Sequence, residues 1–121
     1  MLFARTQIVT ANSMASNITS SIVLLDQAFG YSVQCIYTTS GTLAGTLKLQ
    51  GSNNHVQDIN GNVITAGTFT DIPGQSTTLS VSANGSYMFN VEAWYLYFQL
   101  VYTTANSDTG VLNAFATIKG V

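Results

Sequence analysis

Hydrophobic and polar residues alternate with a period of two along most of the chain, in short runs that turn-forming residues interrupt. This alternation is typical of β-strands that bury one face, whereas no segment sustains the 3.6-residue period of a helix. Glycine- and asparagine-containing pairs separate the runs at the spacing of turns in an antiparallel sheet. The predicted strands cover residues 3–9, 18–25, 31–38, 45–51, 63–72, 76–82, 86–91, 94–104 and 111–120.

These strands predict an all-β fold, a single antiparallel β-sandwich of the jelly-roll or immunoglobulin-like kind. The chain of 121 residues is long enough for one hydrophobic core but not for two. Residues 1–121 are therefore expected to form a single domain. Asn60-Gly61 is the strongest hairpin signal, and Pro73-Gly74 predicts another turn between two strands.

The segment 94–104 alternates most strictly. One face of it is predicted to be core, with four large hydrophobic side chains buried together: Trp94, Leu96, Phe98 and Leu100. Tyr95 and Tyr97 lie on the opposite face. Exposed tyrosines on a strand suit a subunit interface, where tyrosine is enriched, and they also suit stacking against a sugar. The third alternative is that both faces are buried within one domain.

Charged residues are scarce, which limits the partners that the chain can take. They make up 7% of the sequence, against a usual fraction of roughly 25%. With only three basic residues, no phosphate-binding patch can be assembled, and no nucleic-acid partner is expected. Ser, Thr and Asn instead supply 38 of the 121 residues. Such a surface suits a subunit packed against neighbours, and equally a secreted β-domain rich in Ser and Thr.

The sequence contains no apolar run of the ~18 residues that would span a membrane. Its start, MLFARTQIV, lacks the continuous apolar segment of a secretory signal. We therefore expect a chain that is made in a cytoplasm and used as synthesised, without a membrane span. The terminal segments FARTQIV and FATIKGV are apolar enough to be ordered, and at least one is expected at a contact between subunits. Together with the tyrosines above, this makes Tyr95, Tyr97, Phe3 and Phe115 the candidate interface residues.

Candidate catalytic and metal-binding residues are few. His55 lies in a polar turn and is predicted to be a solvated surface residue, because no G-x-S-x-G motif accompanies it. The carboxylates are spread over separate loops, so neither enzyme activity nor a cofactor is expected. The segment 58–62 offers oxygen ligands at alternate positions but lacks the closing Glu of an EF-hand, which favours an Asx-rich turn over a calcium site. The single Cys35 is predicted to be a small buried apolar residue.

Four segments follow one another over most of the chain after about Gly30: GTLKLQGSNN, FTDI, GSYMFNV, and YLYFQLVYTT leading into GVLNAFATIKG. In this order they resemble a type of small β-sandwich protein encoded by tailed and other double-stranded DNA bacteriophages. The sequence departs from that pattern at Asn54, where an acidic residue is common, and at Phe69, where Trp is common. Proteins of this type are virion structural components, such as capsid-decorating proteins, fibre modules and head or tail appendages.

The resemblance implies a non-enzymatic structural protein located in the virion. It would bind other virion proteins, such as the major capsid or an appendage protein, and assemble as a symmetric homo-oligomer. The alternative from another class is a carbohydrate-binding module that mediates attachment to a glycan. An exposed, flat aromatic platform beside Asn or Asp side chains would favour the glycan, and a platform covered by another chain would favour assembly.

Overall fold

The computed structural model describes residues 2–26, 28–105 and 107–120, with side chains described from residue 4 onward. The regular structure in these residues is β-strand, as predicted, and none of them belongs to a helix able to cross a membrane. The strands are β1 Leu2–Ser13, β2 Ile18–Thr19, β3 Val23–Leu24, β4 Ala28–Thr38, β5 Thr46–Ser52, β6 Val56–Gln57, β7 Val63–Thr65, β8 Thr70–Thr78, β9 Gly85–Glu92, β10 Tyr97–Thr103 and β11 Val111–Gly120.

Two antiparallel sheets form the sandwich. The first sheet has the strand order β1-β11-β4-β9, and the second has the order β2-β10-β5-β8, with β3 also paired to β10. Consecutive long strands mostly lie in opposite sheets. Of the two arrangements that the sequence left open, this order fits the jelly roll, because an immunoglobulin-like sandwich keeps more of its consecutive strands in one sheet. The first and last strands pair with each other, so the described parts of both terminal segments form regular structure, as expected.

The hydrophobic core lies between the two sheets and is built from alternate residues of the long strands. Val33 and Cys35 of β4 and Leu47 of β5 are fully buried. Tyr31 of the first sheet stacks on Phe98 of the second, with ring centroids 4.1 Å apart. The predicted burial of Cys35 is confirmed. This burial raises the pKa of its thiol to about 12, so the group is not reactive at neutral pH.

The aromatic strand begins later than the alternation predicted. β10 starts at Tyr97, and the residues before it form a bend. Trp94 is therefore 80% exposed and Leu96 is 47% exposed. The prediction that these two residues join the core was wrong, while Phe98 and Leu100 are buried as predicted. Alternation places residues on opposite faces only while the chain stays extended, and the bend ends that relation.

Pro73-Gly74 does not separate two strands but lies inside β8, and this prediction was also wrong. β8 is the edge strand of the second sheet, where a proline can replace a residue whose N–H has no partner. The pairing of β8 with β5 is irregular at this point, and Gly74 adopts a positive φ of 77°. The segment 18–25 likewise forms two short strands rather than one.

The Asn60-Gly61 hairpin forms as predicted, between β6 and β7. Gly61 has a φ of 83°, the left-handed conformation that such a turn requires. The Asp58 carboxylate accepts hydrogen bonds from the backbone N–H groups of Asn60 and Asn62, each at 2.9 Å. Hydrogen bonds, led by the one from Asn62, lower the pKa of Asp58. The segment is thus the predicted Asx-rich turn.

Candidate functional site

An open groove of about 580 Å³ lies where the end of β5, the start of β8 and the bend before β10 come together. The bend projects side chains outwards instead of into the core, which leaves this concave surface beside them. We call it the Trp94 groove. Its lining residues are Gly51, Ser52, Asn53, Asn54, Thr68, Thr70, Asp71, Ile72, Pro73, Trp94 and Tyr95.

Trp94 presents a largely exposed indole ring that is restrained by a hydrogen bond. The indole Nε1 donates a hydrogen bond to Glu92 Oε2 at 2.8 Å. The bend that carries the ring is held in turn by the backbone N–H of Leu96, which donates to Asn53 Oδ1 at 2.9 Å. The ring is thus an exposed apolar surface at the side of the groove.

Two asparagine amides flank the ring and share one feature. Their oxygens are engaged within the chain: Asn53 Oδ1 accepts from Leu96, and Asn54 Oδ1 accepts from the Thr68 N–H at 2.8 Å and from Ser52 Oγ at 3.0 Å. Neither Nδ2 group donates to an acceptor in the described part of the chain. The amides are therefore oriented by their oxygens, with their N–H₂ groups left as hydrogen-bond donors.

Asp71 places a carboxylate at the same groove. Its Oδ1 accepts a hydrogen bond from Gln50 Nε2 at 2.8 Å and lies 3.2 Å from Lys48 Nζ. The hydrogen bond from Gln50, followed by that from Lys48, holds the pKa of Asp71 below its usual value. The carboxylate is thus ionised at neutral pH, and the ammonium group beside it balances its charge.

The predicted interface tyrosines lie in different settings. Tyr95 is half-buried in the wall of the groove, and its hydroxyl is 2.5 Å from that of Tyr31. A Cβ atom on Gly51 would lie 2.9 Å from the Tyr95 ring, so the ring needs a glycine beneath it. Tyr97 is only 7% exposed. His55 and Gln57 cover it, which fits the alternative that this face of the strand is buried within one domain.

Phe115 lies on the outer face of the first sheet and is partly exposed. The Arg5 guanidinium is 4.9 Å from the centroid of its ring, and Met88 of β9 lines the same shallow depression. The side chain of Phe3 lies outside the described residues, although its backbone pairs with Lys119. Phe115 therefore lies on a different surface of the molecule from the Trp94 groove.

His55 is buried, at 3% exposure, so the prediction of a solvated residue was wrong. Its ring lies between Phe69 and Tyr97, with centroids 5.3 and 5.0 Å away. The Gly67 N–H donates to Nδ1 at 3.1 Å, which places the ring proton on Nε2, the atom that contacts Gln57 Oε1 at 2.7 Å. Both nitrogens are thus engaged within the fold, and the role of the ring is structural.

Asp108 is a second buried polar residue that the pattern did not reveal, since it sits in an ordinary-looking loop sequence. Its carboxylate accepts hydrogen bonds from the Tyr102 hydroxyl and from the backbone N–H groups of Ala44, at 2.8 Å, and Gly45, at 3.1 Å. Burial by itself would raise the pKa of Asp108. The hydrogen bonds, led by the one from Tyr102, outweigh burial and leave that pKa below its usual value.

Across residues 2–26, 28–105 and 107–120, no group of three His, Cys, Asp or Glu side chains could hold a metal ion. The Trp94 groove brings together an exposed ring, two amide donors and a charge-balanced carboxylate. Such a set can bind a ligand by stacking and by hydrogen bonding.

Neither a family model nor a curated protein matches the sequence. Among solved structures, the SPBc2 prophage-derived protein YomS is 13% identical to this chain. The match covers 98% of this chain and 95% of the YomS chain, with a TM-score of 0.52. A xylanase 10B fragment from Clostridium thermocellum, with CBM22-1 and GH10 modules, is 15% identical over 98% of this chain and 26% of its own, with a TM-score of 0.47. Tobacco streak virus coat protein is 8% identical, and the match covers 98% of this chain and 85% of the coat protein chain, with a TM-score of 0.42. At this identity, the similarity to YomS concerns the fold alone.

Proposed function

We propose that the chain is a non-enzymatic structural protein of a bacteriophage virion, a capsid-decorating or head or tail appendage component that assembles through subunit contacts. The observation that carries the proposal is strand β9, Gly85–Glu92, one of the two edge strands of the first sheet. An open edge exposes a row of unpaired backbone groups, which is a template for pairing with another chain.

β9 lacks the features that keep an edge strand from pairing. It contains no Lys, Arg or Pro, and it exposes Tyr87 at 37% and Met88 at 48%. β8, the edge of the second sheet, contrasts with it, because β8 carries a proline and the ion-paired Asp71. Proline and charge protect edges in soluble monomers. β9 is therefore better suited than β8 to a subunit contact.

The partner that best fits β9 is a second copy of the chain. Antiparallel pairing of two β9 strands about a two-fold axis would join the two first sheets into one, with the same residues on both sides of the contact. Glu92, at the end of the strand, is its one charged residue. The two copies of Glu92 would then lie at opposite ends of the contact, so they would not repel each other. Met88 would extend the contact on the outer face of the sheet, whereas Phe115 lies two strands away from this edge, on β11.

Two similarities support placing this assembly in a virion. The motifs from GTLKLQGSNN to GVLNAFATIKG resemble those of small β-sandwich virion proteins. The fold also matches that of a prophage-derived protein over nearly the full length of both chains. We expect mass spectrometry of particles purified from the host that encodes the chain to find it as a stoichiometric component. Its absence from purified particles would contradict the virion assignment.

Edge charges test the subunit contact. Met88→Lys combined with Asn90→Lys adds two ammonium groups to β9 and four to a two-fold pair, so we expect the variant to be monomeric in sedimentation equilibrium. The wild-type chain is expected to sediment as a dimer or larger assembly.

The matched control is Ser76→Lys with Thr78→Lys, which adds the same charge to two exposed positions on the opposite edge strand, β8. This control should associate like the wild type. A monomeric wild-type chain, or equal loss of association in both variants, would count against assembly through β9.

A further inference from the structure

We infer that the Trp94 groove binds a neutral oligosaccharide, with one pyranose ring against the Trp94 indole and its hydroxyl groups hydrogen-bonded to Asn53, Asn54 and Asp71. This inference goes beyond the proposed virion function and does not depend on it, because the residues that line the groove lie outside β9. Glu92, at the end of β9, contributes only the hydrogen bond that it accepts from the Trp94 indole.

The indole supplies the surface that a sugar ring needs. A pyranose has a face of C–H groups, and the face of an aromatic ring carries the negative part of a quadrupole that attracts them. Trp94 is 80% exposed and donates a hydrogen bond to Glu92, so its ring is available and restrained at one atom. A restrained ring loses less conformational entropy than a free one when a ligand binds.

The rim supplies both kinds of hydrogen-bonding partner that a sugar hydroxyl can use. The Nδ2 groups of Asn53 and Asn54 are donors, oriented by the internal contacts of their oxygens. The Asp71 carboxylate is an acceptor, oriented by Gln50 and Lys48. Because these contacts form without the ligand, the site is preorganised, which lowers the entropic penalty of binding.

The charges of the groove favour a neutral ligand over a charged one. Among the described side chains, Lys48 is the cation beside the groove, and it is paired with Asp71, so it offers no free positive charge to a phosphate or sulfate group. Asp71 is likewise neutralised, which weakens any attraction for a cation. The volume of about 580 Å³ falls within the range of roughly 300–1,000 Å³ that is usual for small-molecule sites.

Intrinsic fluorescence tests the inference directly, because Trp94 is the single tryptophan in the sequence. The probes are cellohexaose, xylohexaose, maltohexaose and chitohexaose (the N-acetylglucosamine hexamer), each titrated to about 10 mM, which is ten times a Kd of 1 mM. We expect at least one probe to give a saturable change in emission with a Kd of about 1 mM or below. Calorimetry on the same solutions supplies the Kd for variants that lack the tryptophan.

Trp94→Ala and Asn53→Ala should each weaken binding of that probe by about tenfold or more. Ile59→Ala is the matched control, since Ile59 is 99% exposed, lies outside the groove and should leave the Kd unchanged. Circular dichroism confirms that each variant is folded.

Three results would overturn the inference. The first is the absence of saturable binding with all four probes. The second is binding that Trp94→Ala leaves intact. The third is an emission change that follows protein concentration instead of sugar concentration, since the groove would then be a contact between copies of the chain.

Discussion

Two buried polar residues, His55 and Asp108, hold loops in place through hydrogen bonds that no hydrophobic pattern records. His55 joins the end of β5 to the segment before β8, where Gly67 approaches so closely that a Cβ atom would lie 2.4 Å from the His55 backbone nitrogen. Asp108 joins the loop after β10 to the start of β5. In the low-dielectric interior, such satisfied groups are stabilising, and removing one partner leaves the others unpaired.

Asp108 should make the stability of the protein depend on pH in the acid range. Its pKa is lower in the folded than in the unfolded chain, so its contribution is present above the unfolded value of about 3.9 and is lost as the pH falls through the folded value. Asp108→Asn should therefore lower the free energy of unfolding by about 1.5–3 kcal/mol at pH 7, and by progressively less below about pH 4. Urea unfolding of both proteins at a series of pH values measures this difference.

The control for this prediction is Asp26→Asn, at an exposed position, which should change the free energy of unfolding by less than about 0.5 kcal/mol at pH 7. An Asp108→Asn difference that stayed constant from pH 7 down to pH 3 would mean that the carboxylate charge does not stabilise the fold.

At the scale of the element, the bend before β10 divides the alternating segment 94–104 into a part that faces the groove and a part that belongs to the core. Residues from Tyr97 to Thr103 form the central strand of the second sheet, with Phe98, Leu100 and Tyr102 in the core. Trp94, only a few residues earlier, is turned out to the groove. The hydrogen bond from the Leu96 N–H to Asn53 Oδ1 lies at the boundary between the exposed part and the buried part. A single alternating run thus supplies both core and surface.

This division predicts unequal effects of truncation along the run. Phe98→Ala removes a fully buried ring and should destabilise the fold by about 3–5 kcal/mol. Leu96→Ala removes a side chain that is 47% exposed and should lower stability by less than about 1.5 kcal/mol. Urea unfolding of the two variants gives both values. Equal losses would mean that Leu96 belongs to the core after all.

At the scale of the whole molecule, the scarcity of charge leaves hydrogen bonding and apolar contact to carry recognition. The chain has three basic and five acidic residues, and the Lys48–Asp71 pair neutralises one of each. The surface nevertheless exposes several large hydrophobic side chains, among them Ile59, Trp94 and Met88. Electrostatic steering is weak for such a surface, and contacts depend on buried area and shape.

Association between copies of the chain should therefore be insensitive to salt. We expect the mass from light scattering to remain unchanged between about 50 mM and about 1 M NaCl, because screening acts on charges that the contact does not use. Dissociation at the higher salt concentration would indicate ion pairs at the contact and would contradict pairing through the nearly uncharged β9 strand.

The class of fold and most strands followed from the sequence because alternation is a local property: a residue two positions away along an extended chain points to the same side. The same holds for the Asn60-Gly61 hairpin and for the burial of Cys35. The features that could not be predicted from the sequence depend on contacts between segments that are distant along the chain. His55 is buried by side chains at positions 69 and 97, and Asp108 is satisfied by backbone groups at positions 44 and 45.

The Trp94 groove arises in the same way. Its residues come from three separate parts of the chain, near positions 53, 71 and 94, and its exposed ring depends on a bend that a hydrogen bond from position 96 to position 53 holds. The sequence by itself determined which segments are extended and which residues avoid water. Only the tertiary structure decided where extension stops and which polar groups meet, because both depend on partners that are remote in sequence.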